Sequence, residues 1–429
     1  MISGLFWVLL LNIIVKPLWF LGIEVGAQNA VGNEAYGLYF TVFNLAYILN
    51  ILLDLGVTNF NTRNIARHPQ LIAKHMGGIL TLKLLLFGLY ALFALAAALL
   101  LGYGSREFSL LMPLCVAQFL NSLILYLRSN FEGLLLFKWD SFISVMDRLL
   151  MILLCGLMLW TPLRSRFNIY WFVYAQVLSY ALTAVTALLV IAAKSGLRRL
   201  TWNLPFSLVI LRQSAPFALL VLLMASYNRI DPILLRMLSG DSSAGVYAGA
   251  FRLLDAFSMV AYLVSVPLLP VYARLCKTDV RQTASTTRLV FFPMLLLSLS
   301  AAVVCNIWAT PIMTLLYHGN APLYVPVFRV IICGFVPICV TYIFGTLLTA
   351  AGKLRQLNLF AVTALLLNVA VNLVLIPRLG AVGSAWASLS AQLFMALAQI
   401  ILAFRLLRLP LSTLLPPSPR ELLKLLRIK

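Results

Sequence analysis

Charged residues lie inside long apolar runs of the sequence, where ionised side chains are costly, and seven of them are candidates for substrate binding. These seven are Lys16, Glu24, Lys83, Arg229, Asp231, Arg252 and Asp255. A charge in hydrocarbon is unfavourable unless it is paired or faces a polar cavity, so each is a candidate functional residue. Basic side chains in such a cavity can bind an anionic group through charge-assisted hydrogen bonds, and carboxylates can balance that charge or carry a proton. We take these seven as candidate substrate-binding residues and expect no catalytic residue.

The candidate residues differ in how far they lie from the ends of their apolar runs and in their neighbours on the helix. Lys16 lies in the middle of its run and is too deep to reach water easily, whereas Lys83 lies closer to an end and can extend its ammonium to the interface. Arg252 and Asp255 are three residues apart, so they share a helical face and can form a local ion pair. Arg148 is near the start of its run, and we expect it at the membrane interface.

The elements that must carry these charges are long apolar helices. Of the 429 residues, 62% are hydrophobic and only 10% are charged, and the mean hydropathy is +1.00. A typical soluble domain has about 25% charged residues, so most of this surface must face lipid. Apolar runs of about 20 residues lie near 5–28, 36–59, 77–101, 108–127, 142–161, 169–193, 208–235, 244–270, 287–312, 323–350, 356–376 and 382–404. They predict an all-α polytopic membrane protein with twelve transmembrane helices.

Lysine and arginine residues sort by side when the connections between these runs are counted alternately. One side holds most of them, whereas the other holds only Arg106, Arg164, Arg166, Arg236 and Arg378. The more basic side of a membrane protein faces the cytoplasm, so both termini are expected there. This sorting, together with attraction to anionic membrane lipids, accounts for the net charge of +20 without a nucleic-acid partner. The opposite connections are too short for a catalytic domain.

The chain repeats part of its own pattern. GNEAYGLY at 32–39 returns as GDSSAGVY at 240–247, with an offset of 208, and a weaker match relates 132–133 to 351–352 with an offset of 219. The repeat predicts an N-terminal six-helix half, a cytoplasmic linker, a C-terminal six-helix half and a basic cytoplasmic tail, over 1–194, 195–206, 207–408 and 409–429. Transporters built from such repeats bind substrate between the halves, so we expect a central cavity there.

Several short motifs follow one another in order. They are YGLYF at 36–40, LDLG at 53–56, NTRNIAR at 61–67, ID at 230–231, GVY at 245–247, PLLP at 267–270 and PRLGAVGSAW at 377–386. In these motifs the sequence resembles the MOP exporter superfamily, in its polysaccharide-transporter branch of Wzx-type O-antigen and oligosaccharide flippases. The resemblance covers essentially the whole chain and implies a MATE-like arrangement of the two halves.

The resemblance also implies a function. A protein of this kind moves an undecaprenyl-pyrophosphate-linked oligosaccharide, such as an O-antigen repeat unit for lipopolysaccharide, from the cytoplasmic to the periplasmic leaflet by alternating access. It lies in the bacterial inner membrane. Its expected partners are the polyprenyl-pyrophosphate-linked oligosaccharide, membrane lipids, and the polysaccharide polymerase and chain-length proteins.

Some candidate residues fit the same resemblance. Segment 247–255 looks like the eighth-span segment of bacterial lipid II flippases, whose arginine is essential in the central cavity, and Arg252 matches that arginine. Glu24 matches an acidic residue of their first span, and Lys16 falls within one residue of a basic one. Ile23 stands where those flippases carry a basic residue directly before the acid.

Other functions remain open. No Walker A motif is present, so an ion gradient, the membrane potential or substrate flux must supply energy, and no cofactor or metal site is indicated. A cation-coupled multidrug exporter of the same superfamily and a lipid II flippase are the transporter alternatives. Lys16 and Arg252 would repel a cationic drug, which favours an anionic substrate. A membrane glycosyltransferase or polymerase would need paired carboxylates or a histidine in a sizeable outer loop, and the sequence offers neither.

Overall fold

The computed structural model describes most of the chain in two compact units, Met1–Ala225 and Ser226–Lys429. The described residues are 15, 17–58, 61–62, 65, 72–134, 136–195, 219–265, 267–317, 320–407, 410–414 and 416. Nearly all of the expected linker at 195–206 and most of the expected tail at 409–429 lie outside them. The division of the chain at these segments therefore stays a prediction.

Long helices make up both units, and no β-strand occurs in the described residues. The first unit contains α1 (Leu18–Leu53), α2 (Ile72–Leu100), α3 (Ser105–Gly133), α4 (Phe137–Leu159) and α5 (Ile169–Ser195). The second contains almost all of α6 (Leu219–Ser265), then α7 (Leu268–Thr278), α8 (Val280–Ile307), α9 (Ala309–Leu316), α10 (Ala321–Ala350), α11 (Leu354–Leu379) and α12 (Ala381–Leu407). Within the described residues, 10 helices are long and apolar enough to cross a membrane.

Two of these helices, α1 and α6, are each two spans joined without a loop. Gly32 breaks α1 with φ 82° and ψ 169°, and Gly240 breaks α6 with φ 85° and ψ 174°. This backbone region is essentially restricted to glycine, because a Cβ would clash with the chain. Each glycine falls between two predicted spans, so the ten long helices of the described residues correspond to the twelve predicted spans. The all-α polytopic fold is confirmed.

The internal repeat is visible in the backbone, but one of its predicted offsets is wrong. The backbone N–H of Leu136 donates to the carbonyl five residues earlier at 2.8 Å, and that of Lys353 makes the same bond at 2.9 Å. The next helix begins one residue later in both cases, so the offset here is 217, not 219. The two glycines are not equivalent, although the sequence match aligned them. Gly133 is the last residue of a helix, whereas Gly352 lies after the end of a helix and has a φ of 74°.

The helices have faces suited to lipid. On α4, Leu149, Leu153 and Leu157 are exposed every four residues, whereas Met151 and Cys155 are buried. An exposed leucine stripe would be unfavourable in water, and it is typical of a helix face that contacts hydrocarbon. With ten such apolar helices among the described residues, the chain is a multi-pass membrane protein.

Candidate functional site

The candidate residues are divided between the two units. Glu24 and Lys83 lie in the first unit, and the other described candidates lie on α6 in the second: Arg229, Asp231, Arg252 and Asp255. Lys16 lies outside the described residues, so its position in a polar cavity stays a prediction. The surroundings of each described charge differ enough to suggest different roles.

Arg229 and Asp255 form an ion pair across the break in α6. Arg229 Nη2 lies 2.8 Å from Asp255 Oδ1, and the guanidinium lies over the Phe251 ring at 5.1 Å. Both charged side chains are partly exposed. Asp255 therefore pairs with a distant residue rather than with Arg252, the partner expected from its spacing. The reason is that the break at Gly240 brings the two arms of α6 side by side, which helical spacing alone does not predict.

Arg252 is buried in the second unit, with 5% of its surface exposed. Its Nη1 donates to the hydroxyl of Tyr317 at 2.5 Å, and that hydroxyl donates to the Gly249 carbonyl at 3.2 Å. The Tyr317 ring stacks on Tyr324 with centroids 4.1 Å apart, which fixes the hydroxyl. This contact orients the guanidinium through one of its nitrogens. An oriented guanidinium is suited to binding phosphate or carboxylate oxygens.

Asp231 lies in a fully buried polar cluster of the second unit. Its Oδ1 accepts from the amides of Asn368 at 2.9 Å and Asn372 at 2.8 Å, and its Oδ2 accepts from the Tyr247 hydroxyl at 3.0 Å. Among the described residues, the side-chain oxygen of Asn372 has no hydrogen-bond partner. A carboxylate surrounded by neutral oxygens and amides can hold a proton or a small monovalent cation.

The sequence analysis did not single out Asn368 and Asn372. Their spacing was a usable signal, because two asparagines four residues apart in an apolar helix share one face and both need partners in the membrane. Their partner, Asp231, belongs to another helix and could not be assigned from spacing. No group of three or more His, Cys, Asp or Glu side chains that could hold a metal ion occurs in the described residues.

Lys83 is completely buried in the first unit, so it does not extend to the interface. Its Nζ lies 2.6 Å from Asp54 Oδ1 and 2.8 Å from Ser122 Oγ, and it also donates to the Leu53 carbonyl at 3.2 Å. The chain turns at Leu55, where φ is 42°, the one positive φ of a non-glycine residue among those described. Lys83 thus ties the end of α1 to α2 and α3. Its part in binding substrate stays a prediction.

Glu24 lies near the start of α1, within electrostatic range of Arg148 and Tyr39. The Arg148 guanidinium lies over the rings of Trp19 and Tyr180, at 5.2 Å and 5.8 Å, and its Nη1 donates to the Tyr180 hydroxyl at 3.2 Å. Arg148 is at the midpoint of α4 rather than near its start, because α4 begins earlier than the predicted span. The first unit therefore holds an aromatic cage around an arginine.

Repeated helical units with charged side chains buried inside them define a polytopic membrane protein of transporter type. The model of a family described as polysaccharide biosynthesis protein matches residues 1–276, and the chain belongs to that family. No curated protein sequence matches the chain.

Solved structures share this fold over nearly the whole chain. An inward-facing multidrug resistance MATE family transporter of the MOP superfamily is 14% identical, with a TM-score of 0.71, and the match covers 93% of this chain and 94% of that one. The lipid II flippase MurJ, in an inward closed conformation, is 14% identical, with a TM-score of 0.66, and the match covers 97% of this chain and 92% of that one. A MOP superfamily transporter from Pyrococcus furiosus is 14% identical, with a TM-score of 0.61, and the match covers 96% of this chain and 93% of that one. The MOP fold expected from the motifs is confirmed.

Proposed function

We propose that this protein is a flippase for an undecaprenyl-pyrophosphate-linked oligosaccharide, which it moves from the cytoplasmic to the periplasmic leaflet by alternating access. Membership of the polysaccharide biosynthesis family supports a substrate of this class. The similarity to a lipid II flippase supports the fold that such a substrate needs. The protein would act without chemistry on the sugar, and would hand the flipped unit to the polysaccharide polymerase and chain-length proteins.

The observation that carries this proposal is the buried, oriented guanidinium of Arg252. An anionic pyrophosphate cannot cross hydrocarbon unless protein groups replace its water. Arg252 offers a buried cation that the Tyr317 hydroxyl holds in place, and a phosphate oxygen can bind to such a guanidinium through charge-assisted hydrogen bonds. A cationic drug would be repelled by the same residue, which makes a multidrug exporter the weaker alternative. Arg229 and Asp255 would adjust the charge beside it.

Asp231 is the best candidate for coupling transport to an ion gradient. It is fully buried and bonded only to neutral groups among the described residues. A carboxylate in such a place changes charge when it takes up a proton or a monovalent cation, and the change alters the energy of the surrounding helices. Asp231 would then couple transport to the ion gradient rather than bind the lipid-linked sugar. Imposing a pH gradient or a sodium gradient separately on vesicles distinguishes the two ions.

We place the protein in the inner membrane with both termini in the cytoplasm. Cysteines introduced at Lys74, Lys194 and Lys277 should react with an impermeant maleimide only from the cytoplasmic side, and a cysteine at Arg106 should react only from the other. These positions follow from the sorting of basic residues along the sequence. Reaction of Lys74→Cys, Lys194→Cys or Lys277→Cys in intact cells would contradict this orientation.

The function is tested with purified full-length protein in lipid vesicles. A fluorescent undecaprenyl-pyrophosphate-linked oligosaccharide reports translocation when an impermeant quencher is added outside. We expect Arg252→Ala to slow translocation by at least about tenfold, because a charge-assisted hydrogen bond is lost. Arg252→Lys should keep part of the rate because it keeps the charge. The control is Arg378→Gln, which removes an equal charge from an exposed position at the end of α11.

Two outcomes would count against the proposal. Equal translocation by Arg252→Ala and the native protein would remove Arg252 from the mechanism. Accumulation of a cationic dye by vesicles that do not translocate the lipid-linked sugar would favour a multidrug exporter.

A further inference from the structure

Arg148 lies on the protein-facing side of α4, in the first unit. Positions 151 and 155 are three and seven residues further along the helix, on the same face, and Met151 and Cys155 there are fully buried. The lipid-facing stripe of Leu149, Leu153 and Leu157 lies on the opposite face. Nevertheless, 28% of the Arg148 side chain is exposed. The accessible part of Arg148 therefore lies on a different face of α4 from the leucine stripe.

The contacts of Arg148 hold it in place but leave part of its guanidinium available. The rings of Trp19 and Tyr180 flank it, Nη1 donates to the Tyr180 hydroxyl at 3.2 Å, and Nε lies 3.6 Å from Asp147 Oδ2. Within the described residues, Nη2 makes no hydrogen bond. A guanidinium is planar and carries five donors, so one edge remains for a ligand. Aromatic faces on two sides prevent the side chain from rotating away and favour its charged state.

Two acidic residues near Arg148 partly balance its charge without forming a close ion pair. Asp147 is at the outer limit of an ion pair, and Glu24 acts on Arg148 from α1. Neither forms the short two-point contact that an arginine makes with a committed carboxylate partner, such as that of Arg128 with Asp140 at 2.7 Å and 3.2 Å. The neighbouring acids stabilise the empty site and can be outcompeted by an anion that bonds to two nitrogens.

We propose that Arg148, caged by Trp19 and Tyr180, is an anion-binding residue of the first unit that contacts an anionic group of the transported molecule. The proposal rests on the proposed function and adds to it an anion-binding residue in the first unit. The chemistry is that of an oxyanion, which either the phosphates of the lipid or a carboxylate on the sugar could provide. Binding experiments with separate probes distinguish these two sources.

The test measures binding to purified full-length protein in nanodiscs of neutral phosphatidylcholine. The probes are undecaprenyl pyrophosphate without sugar, a soluble oligosaccharide that contains glucuronate, and uncharged undecaprenol. Arg148→Gln should weaken at least one anionic probe by about tenfold, since it removes a charge-assisted bond. Arg148→Lys should keep only part of the affinity, because an ammonium keeps the charge but not the contact through two nitrogens, and undecaprenol binding should not change. Loss for the pyrophosphate probe identifies the phosphates as the ligand, and loss for the glucuronate probe identifies the sugar.

A second variant separates binding from a purely structural role. Asp147→Asn should increase the affinity for the same anionic probe several-fold, because it removes a competing carboxylate. A structural Arg148 predicts no increase. Unchanged affinities in Arg148→Gln and Asp147→Asn, together with a weakened Arg252→Ala, would overturn this inference and leave the proposed function intact. Native protein that binds neither anionic probe would overturn both.

Discussion

The two units place different chemistry at equivalent positions of one repeated backbone. With the offset of 208 that relates Gly32 to Gly240, the buried Asp231 corresponds to the buried Ile23, and Tyr247 corresponds to Tyr39. Both tyrosines are buried, but Tyr247 donates to a carboxylate whereas Tyr39 donates to an amide oxygen on α5 at 3.4 Å. The second unit thus holds a charge at a position where the first is apolar.

The same difference continues on the fifth span of each unit. With the offset of 217 fixed by the turns before α4 and α11, Asn368 and Asn372 correspond to Met151 and Cys155. All four side chains are buried. The backbone therefore accepts either a polar or an apolar cluster, and the polar cluster is not needed for the fold. Buried polar groups generally cost stability compared with an apolar core, so a function is the better reason for the cluster in the second unit.

The largest expected effect comes from moving the charge alone into the first unit. Ile23→Asp should bury a carboxylate without the two asparagine donors, and the cost should remove most folded protein from the membrane. The measurement is the amount of folded protein by fluorescence-detected gel filtration, with Ile23→Val as the control that keeps an apolar side chain.

The companion variant sharpens the comparison. Adding Met151→Asn and Cys155→Asn to Ile23→Asp recreates the donors of the second unit, and should recover part of the folded protein. If the triple variant is no better than Ile23→Asp, the two clusters are not geometrically equivalent.

The next effect concerns Lys83, whose counterpart in the second unit is apolar. Lys83 corresponds to Phe291 at the offset of 208, and α2 and α8 begin with that same offset. Lys83→Met should destabilise the protein by about 3–5 kcal/mol, because Asp54 is left without its cation in a partly buried site. Thermal unfolding in detergent measures the loss. The double variant Lys83→Met with Asp54→Asn should recover most of the lost stability. If it does not, the loss comes from altered packing rather than from the unpaired charge of Asp54.

Asp231→Asn should abolish transport while it preserves the fold. The amide is the same size as the carboxylate but cannot change charge, so the translocation rate should fall by at least about a hundredfold, whereas unfolding should change little. The reconstituted flippase assay gives the rate, and thermal unfolding gives the control on the same sample. A variant that translocates normally under an imposed ion gradient would exclude Asp231 from coupling.

The sequence predicted the spans and the first repeat because both depend on local signals. Apolar runs indicate helices individually, and Gly32 and Gly240 recur within matching segments. The contacts of the charges were not predictable in the same way. Asp255 pairs with Arg229 only because the break in α6 brings two arms together, and Asp231 meets Asn368 from a helix far along the chain. Such partners depend on three-dimensional packing, on which spacing within one helix gives no information.

The smallest expected effect tests whether the repeat is real at the level of single residues. Gly32→Ala and Gly240→Ala should each destabilise the protein by about 1–3 kcal/mol, because alanine is strained at these dihedral angles. An added Cβ meets no atom within 4 Å at either position, so strain alone should act and the two losses should be equal. Gly88→Ala is the control: its Cβ also has open space, but its backbone is helical, so it should stabilise the protein slightly. A marked loss at one glycine only, measured by thermal unfolding in detergent, would mean that the two breaks differ in their surroundings despite their matching dihedral angles.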